Sequence, residues 1–391
     1  MISARLKQLR LARGWSQDDL VAQIGGLVTK ASISKYETGK AVPSSIVLNK
    51  LAKSLGVKSV QLWGEPKVDI EFIAYRKSSG LSKREQIKTE NLVRQALEDR
   101  VYLQTTVYAG QTCDCPVMQF PVRKLEDAEK AASKLRKQWR LGVDPIGNLV
   151  SVLEDHCIHV IEIEAHDKFD GISAYAKEDK QVIAAAVVSR KGVPGERQRL
   201  NIAHELGHTV LKIAKDVDEE AAAFRFGGAF LAPAELIRRE VGEHRTNVRL
   251  EELLILKEKF GLSIQAILRR LLDLEAISKN YYQSWSIRIN KEGMRKSEPY
   301  PLVPEKPEWL DRTVYRGLAE RLFTREEAVR YAGKEIENDD SLDLIKRRAF
   351  LNLPLEERRK VMRSQAGALS KEYESDFEWR DWEGGDIVDG I

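Results

Sequence analysis

Residues 203–208 read Ala203-His204-Glu205-Leu206-Gly207-His208, inside a stretch, 200–211, whose apolar residues recur at helical spacing. Histidines four positions apart on a helix are separated by about 400° of rotation, so His204 and His208 project from one face and can share one zinc. Glu205 lies about 100° to the side, where its carboxylate can reach the open coordination position and take a proton from a bound water whose pKa zinc lowers towards ~7. Such a pair constrains the fold, because a catalytic zinc needs a third protein ligand from another element. Asp218, Glu219 and Glu220 open the next helical stretch, 221–230. Two antiparallel helices with a short connection would bring those acids beside the histidines. Gly207 lets a neighbour approach closely, at a helix-propensity cost of ~1 kcal/mol.

The surrounding pattern is mixed. Apolar residues recur at helical spacing over 125–139, and Leu141-Gly142-Val143-Asp144-Pro145 ends that helix. Residues 159–163 and 182–188 are β-branched or apolar runs that predict strands, with Phe169-Asp170-Gly171 turning between them. After Gly192-Val193-Pro194-Gly195, helices are expected from 196 to about 272. The middle of the chain is therefore α+β.

This region resembles the ImmA/IrrE family of metallopeptidases. The resemblance rests on the metal motif, Leu125-Glu126-Asp127-Ala128, Trp139-Arg140-Leu141-Gly142, Phe169-Asp170-Gly171, Arg197-Gln198-Arg199-Leu200, Phe230-Leu231-Ala232-Pro233 and the 262–270 stretch. It implies a zincin-like α+β peptidase domain over 121–280, Zn2+ as cofactor, Glu205 as catalytic base, and His204 and His208 as ligands. Setting Pro233 on the family's proline puts the ligand glutamate at Glu220, with Glu219 as the fallback. The sequence departs from the pattern at Phe224, where Asn or Asp is usual, and at Gly227, where Ala is usual. Loss of a polar side chain there bears on how a histidine is oriented.

The first 65 residues hold ten Lys+Arg against four Asp+Glu, a basic head within a nearly neutral chain. Short helical patterns are broken at Gly14-Trp15, Gly25-Gly26 and Gly39-Lys40. Ser16 and the acids Asp18 and Asp19 start a helix, a Gly-Gly turn follows, and the next helix, 30–37, offers Lys30, Ala31, Ser32, Ser34 and Lys35 outward while Ile33 and Tyr36 face a core. Small and basic side chains on one helix suit a major groove. The segment from Leu9 through Gln17 to Gly39 and Leu55 resembles the phage-repressor/Cro (XRE) family of helix-turn-helix proteins. That resemblance implies an all-α DNA-binding domain over 1–65, a reading helix from Lys30, and Gln17 beside the phosphate backbone of a double-stranded operator, bound as a homodimer.

Residues 66–120 are charged and patterned as a helical connector. Residues 281–335 form a helical C-terminal extension after the Pro-rich stretch around Tyr300-Pro301-Leu302. The acidic tail, 336–391, resembles antitoxin tails faintly; Trp379 and Trp382 among acids suit docking on a basic toxin partner. No apolar run approaches the ~20 residues of a membrane helix, and the start of the chain lacks a secretory pattern, so a cytoplasmic location is expected, without a disulfide framework for Cys113, Cys115 and Cys157. Cys113, Cys115, His156, Cys157 and His159 make a poor second metal site, and His166 and His244 are lone histidines, either of which could support an oxyanion.

Together these features predict a DNA-binding regulator with a zinc endopeptidase that cleaves a repressor or an antitoxin. The alternative is a non-catalytic repressor or antitoxin whose metal fold only senses or binds. Cleavage of the chain's own 68–108 segment is a third reading.

Overall fold

The computed structural model describes residues 2–63, 68–75, 82–110, 115–166, 169, 171–336 and 350–375. Five helices open the chain: α1 (Ile2–Ala12), α2 (Gln17–Gln23), α3 (Lys30–Glu37), α4 (Ser45–Ser54) and α5 (Ser59–Trp63). Ser16 and Asp19 cap α2 reciprocally, and Thr29 accepts from the Ser32 amide to start α3. Hydroxyls from the preceding turns thus satisfy amides that the short helices leave orphaned. Leu6, Leu9, Leu20, Ile33 and Leu51 fill the core. Arg10 is buried among them, bidentate on Glu37 at 2.6 and 2.9 Å, with Nη1 donating to the Trp15 carbonyl at 2.6 Å. This pair locks α1, the turn before α2, and α3 into one geometry.

The central region runs β1 (Asp69–Tyr75), α6 (Lys83–Val107), β2 (Phe120–Val122), α7 (Leu125–Gln138), α8 (Leu149–Asp155), β3 (Ile158–Ile163), β4 (Ile172–Glu178), β5 (Gln181–Arg190), α9 (Gly195–Val210), β6 (Leu211–Ile213), α10 (Glu219–Leu231), α11 (Ala234–Val241), α12 (Leu250–Phe260) and α13 (Ile264–Asp273). The main sheet has the order β1-β4-β5-β3, with β3 and β5 parallel and the other pairs antiparallel; β2 and β6 form a separate parallel pair. Val160, Tyr175, Ala185 and Val187 on one face pack with α7 and α9. Ile161, Ile172, Ala174, Ala186 and Val188 on the other pack against Val93, Leu97 and Val101 of α6. The region is α+β, as the sequence predicts.

Two elements correct the sequence reading. The 66–120 stretch is not wholly a helical connector, because residues 69–75 form strand β1: Ile70 and Phe72 turn towards α6 while Asp69 and Glu71 turn away, a period of two hidden among charged neighbours. Likewise β4 occupies residues 172–178, which the sequence reading leaves without structure. A further correction concerns the cysteines, since Cys157 is disulfide-bonded.

The five-helix N-terminal region is not separated from the rest by a gap in packing. Gln8 donates to both Glu98 oxygens at 3.1 and 3.2 Å, Arg5 pairs with Glu98, and Arg84 donates to the Gly14 carbonyl at 2.6 Å, so α1 lies along α6. Residues 1–334 form one compact unit and 335–391 a second.

In the first unit α14 (Lys279–Lys291), α15 (Trp309–Ala319) and α16 (Arg325–Ala332) complete the chain. The sequence predicts one helix across 319–331, but it breaks at Arg321, whose φ is 56°, and Thr324 and Glu327 cap a new start. Residues 298–308 cross the N-terminus of α9: the Gly195 amide donates to the Leu302 carbonyl, the Glu305 amide to Gln198, and Arg199 pairs with Glu305. The second unit contains α17 (Leu355–Ser375); Trp379 and Trp382 lie outside the described residues. Among the described residues no helix is long and apolar enough to cross a membrane.

Glu154 ties α8 to this C-terminal part by accepting the Trp309 amide at 3.0 Å. Burial pushes its carboxyl up to about 7, against hydrogen bonds from the Trp309 and Glu308 amides and the charge of Arg100. A carboxyl raised in the folded state contributes stability that is full below its unfolded value of 4.5 and is lost as pH rises through about 7. The shift corresponds to roughly 3 kcal/mol. Urea unfolding is expected to show lower stability at pH 8 than at pH 5 from this group, and Glu154→Gln to flatten that slope. An undiminished slope in the variant would refute the assignment.

Candidate metal centre and nucleic-acid interface

Helix α9 brings His204 and His208 onto one buried face, with Nε2 atoms 3.0 Å apart. Asp218 caps α10 by accepting from the Ala221 amide at 3.0 Å, so Glu219 and Glu220 stand in the first turn, on the flank facing the histidines. Glu220 reaches both Nε2 atoms, Oε2 to His204 and Oε1 to His208, each at 3.5 Å. Glu219 lies instead on the far nitrogen of His208, with Oε1 3.3 Å from Nδ1. Among the described residues, His204, His208 and Glu220 form the one group of three whose ligating atoms all lie within 4.8 Å of one another.

Two glycines allow α9 and α10 to approach this closely. A Cβ on Gly207 would sit 3.1 Å from the Ala223 Cα, and one on Gly227 would sit 3.1 Å from the His204 backbone nitrogen. The departure at Gly227 therefore belongs to the helix crossing that delivers Glu220. At the other departure the Phe224 ring packs on His204, with centroids 4.1 Å apart.

Glu205 points to the sheet side of α9. It is buried and accepts from the Ser173 hydroxyl of β4. Gly171, just before β4, makes room for it: a Cβ there would lie 2.8 Å from Glu205 Cγ and Cδ. Sequence reasoning missed Ser173; the alternation of β4 is its one signal, placing position 173 on the α9 face together with Tyr175.

Residues 154–272 match the family model described as the IrrE N-terminal-like domain, and residues 6–62 match the helix-turn-helix model. The chain joins a helix-turn-helix domain to an IrrE-like domain. Comparison with curated proteins gave no match. The IrrE-like match spans both histidines, Glu205 and Glu220, and begins at the end of α8, downstream of β1 and α6.

The other sequence candidates do not join the cluster. His156 stacks on Trp139 at 4.2 Å, and His159 is buried against Trp309, its Nε2 3.1 Å from Gln104 Oε1. His166 and His244 are exposed. Cys113 lies outside the described residues.

On the helix-turn-helix domain, Lys30, Ala31 and Lys35 of α3 are exposed, whereas Ser32 and Ser34 are half-buried. Ser32 is drawn in by the cap, its amide and hydroxyl both meeting Thr29 Oγ1. Lys30 pairs with Asp18 at 2.6 Å across exposed surface, a pair that phosphates can replace at little cost. Gln17 is half-buried and donates to Glu37 at 2.9 Å, which commits its amide group to the Arg10–Glu37 lock.

Proposed function

We propose that this regulator reads an operator through α3 and that its IrrE-like domain is a zinc endopeptidase cutting a regulatory protein, a repressor or an antitoxin. The observation that carries the reading is the convergence of His204, His208 and Glu220 beside a buried carboxylate, Glu205, fixed by Ser173. Two imidazole nitrogens and one carboxylate oxygen, without thiolate, are a donor set suited to Zn2+ with one position left open. Zinc held by these three residues would supply Lewis acidity and a water acidified towards ~7.

The remaining work falls to the chain. Glu219, with Oε1 3.3 Å from His208 Nδ1, places a negative charge behind that ring, which favours the imidazole as a ligand. Glu205 takes the proton of the attacking water and returns it to the leaving amine. Burial keeps the Glu205 carboxylate away from competing bulk water, and Ser173 holds it in one orientation. The non-catalytic reading draws on Phe224, whose ring covers His204 where a polar group is usual in the resembling family.

Elemental analysis decides the first step. The purified chain is expected to carry close to one zinc, and His204→Ala to lose it, because removing one of three protein ligands abolishes tight binding. A wild type that stays zinc-free after reconstitution would sink the peptidase reading.

A further inference from the structure

The strand next to Glu205 is β4, which supplies Ser173 and follows Gly171. A peptide cut with help from Glu205 must pass that carboxylate in extended form, and the outer edge of β4 is where an extended segment finds main-chain hydrogen bonds. That edge is already filled. β1 pairs with it antiparallel from Asp69 opposite Lys177 to Tyr75 opposite Ile172, which sets Ala74 opposite Ser173. Helix α9 also touches β1. Residues 69–75 lie between the two family matches and belong to neither.

We propose that β1 is an internal blocking strand, seated on the β4 edge where an extended segment of the protein substrate is laid, and that it must leave before substrate reaches Glu205. This rests on the peptidase reading and adds its regulation.

The hold on β1 looks releasable. Its pairing with β4 is interrupted between Phe72 and Ala74, an edge irregularity that weakens the ladder. Glu71 latches it by accepting from Lys177 at 2.8 Å and from the hydroxyl of the buried Tyr175, and both Glu71 and Lys177 are partly exposed. Arg94 of α6 donates to the Ile70 carbonyl at 3.1 Å and lies over the Phe72 ring at 5.4 Å. β5, by contrast, is paired on both sides. The tether raises the effective concentration of β1 to about the millimolar range, which outcompetes a micromolar peptide in the resting chain. Because α6 also carries the docked helix-turn-helix domain through Glu98 and Arg84, an event on DNA that shifts α6 would loosen Arg94 from β1.

The test uses the full chain and a fluorescein-labelled peptide of residues 68–75, followed by anisotropy. Glu71→Lys sets a cation against Lys177, and Phe72→Pro removes a strand amide; both variants are expected to bind the peptide at least tenfold more tightly than wild type. The amides that residues 69–75 retain are expected to exchange at least tenfold faster in both. Equal peptide binding by wild type and the two variants, or none by any of them, overturns the proposal. Neither readout requires hydrolysis. A chain that fails to cleave but shows the tenfold gain therefore refutes the peptidase reading while keeping β1 as an occupant of a peptide-binding edge.

Discussion

Glu205→Gln is expected to lower proteolysis of the target by about 10³-fold, the typical contribution of a positioned general base, or about 4 kcal/mol of barrier. The exchange is nearly isosteric, and an amide oxygen at this position still accepts from Ser173, so the local packing survives. Zinc content should stay near that of wild type, because Glu205 does not belong to the His204, His208 and Glu220 group. Operator affinity should also be retained, since α3 and its Thr29 cap contain nothing of the site. That separation makes the variant decisive. It should hold its substrate without releasing products, allowing capture of the regulatory protein that the proposed peptidase cuts. If regulation of the target survives Glu205→Gln untouched while zinc is retained, the site senses or binds and does not cut.

The parts of this site that were legible in the sequence are those governed by a fixed period. Histidines at i and i+4 must share a helical face, and a Ser-capped helix followed by a Gly-Gly turn and a second short helix allows few packings. No such period separates Glu219 from Glu220. They are neighbours on α10, about 100° apart around its axis, and the choice depends on where α10 starts, which Asp218 sets as its cap. With that start, one carboxylate meets both Nε2 atoms and the other meets Nδ1 of His208. β1 and β4 stayed hidden for a different reason. Each is seven residues long; in β1 the acids Asp69 and Glu71 on the face away from α6 give a charged composition, while in β4 residues 172–176 are all buried but carry only one β-branched apolar residue, Ile172. Ser173 carries no mark beyond its place in the alternation of β4, because its role arises from β4 lying beside α9. The glycine at 227 shows the opposite limit: against a family pattern it reads only as a departure, yet in the fold it relieves a tight approach of α10 to the α9 backbone.

Lys257→Met is expected to be the most damaging change away from the site, costing about 3–5 kcal/mol of folding stability. Lys257 Nζ is buried between Glu196 Oε1 at 2.7 Å and Glu298 Oε2 at 3.0 Å. Glu196 also accepts the Leu302 amide and Glu298 the Ile264 amide. Methionine fills the same space but leaves two buried carboxylates without a cation. The pH dependence separates this cause from a simple packing loss. In wild type, burial works to raise the Glu196 carboxyl, but hydrogen bonds from Lys257 and the backbone prevail and hold it below 4.5. Its contribution is therefore present above 4.5 and lost as pH falls through the depressed value. Without Lys257, burial of the Glu196 carboxyl is no longer opposed by that cation and its carboxyl rises, so the variant regains stability as acid protonates it. Its deficit in urea unfolding should be largest near pH 8 and smaller at pH 5, and Lys257→Arg should recover part of it. A deficit equal at both pH values would mean that lost packing, not uncompensated charge, is responsible. Because Glu196 stands in the first turn of α9 and Glu298 begins the segment crossing that end of the helix, weakened zinc affinity should accompany the loss. The C-terminal extension would then act on the metal site by fixing the helix that carries both histidines, without supplying a ligand.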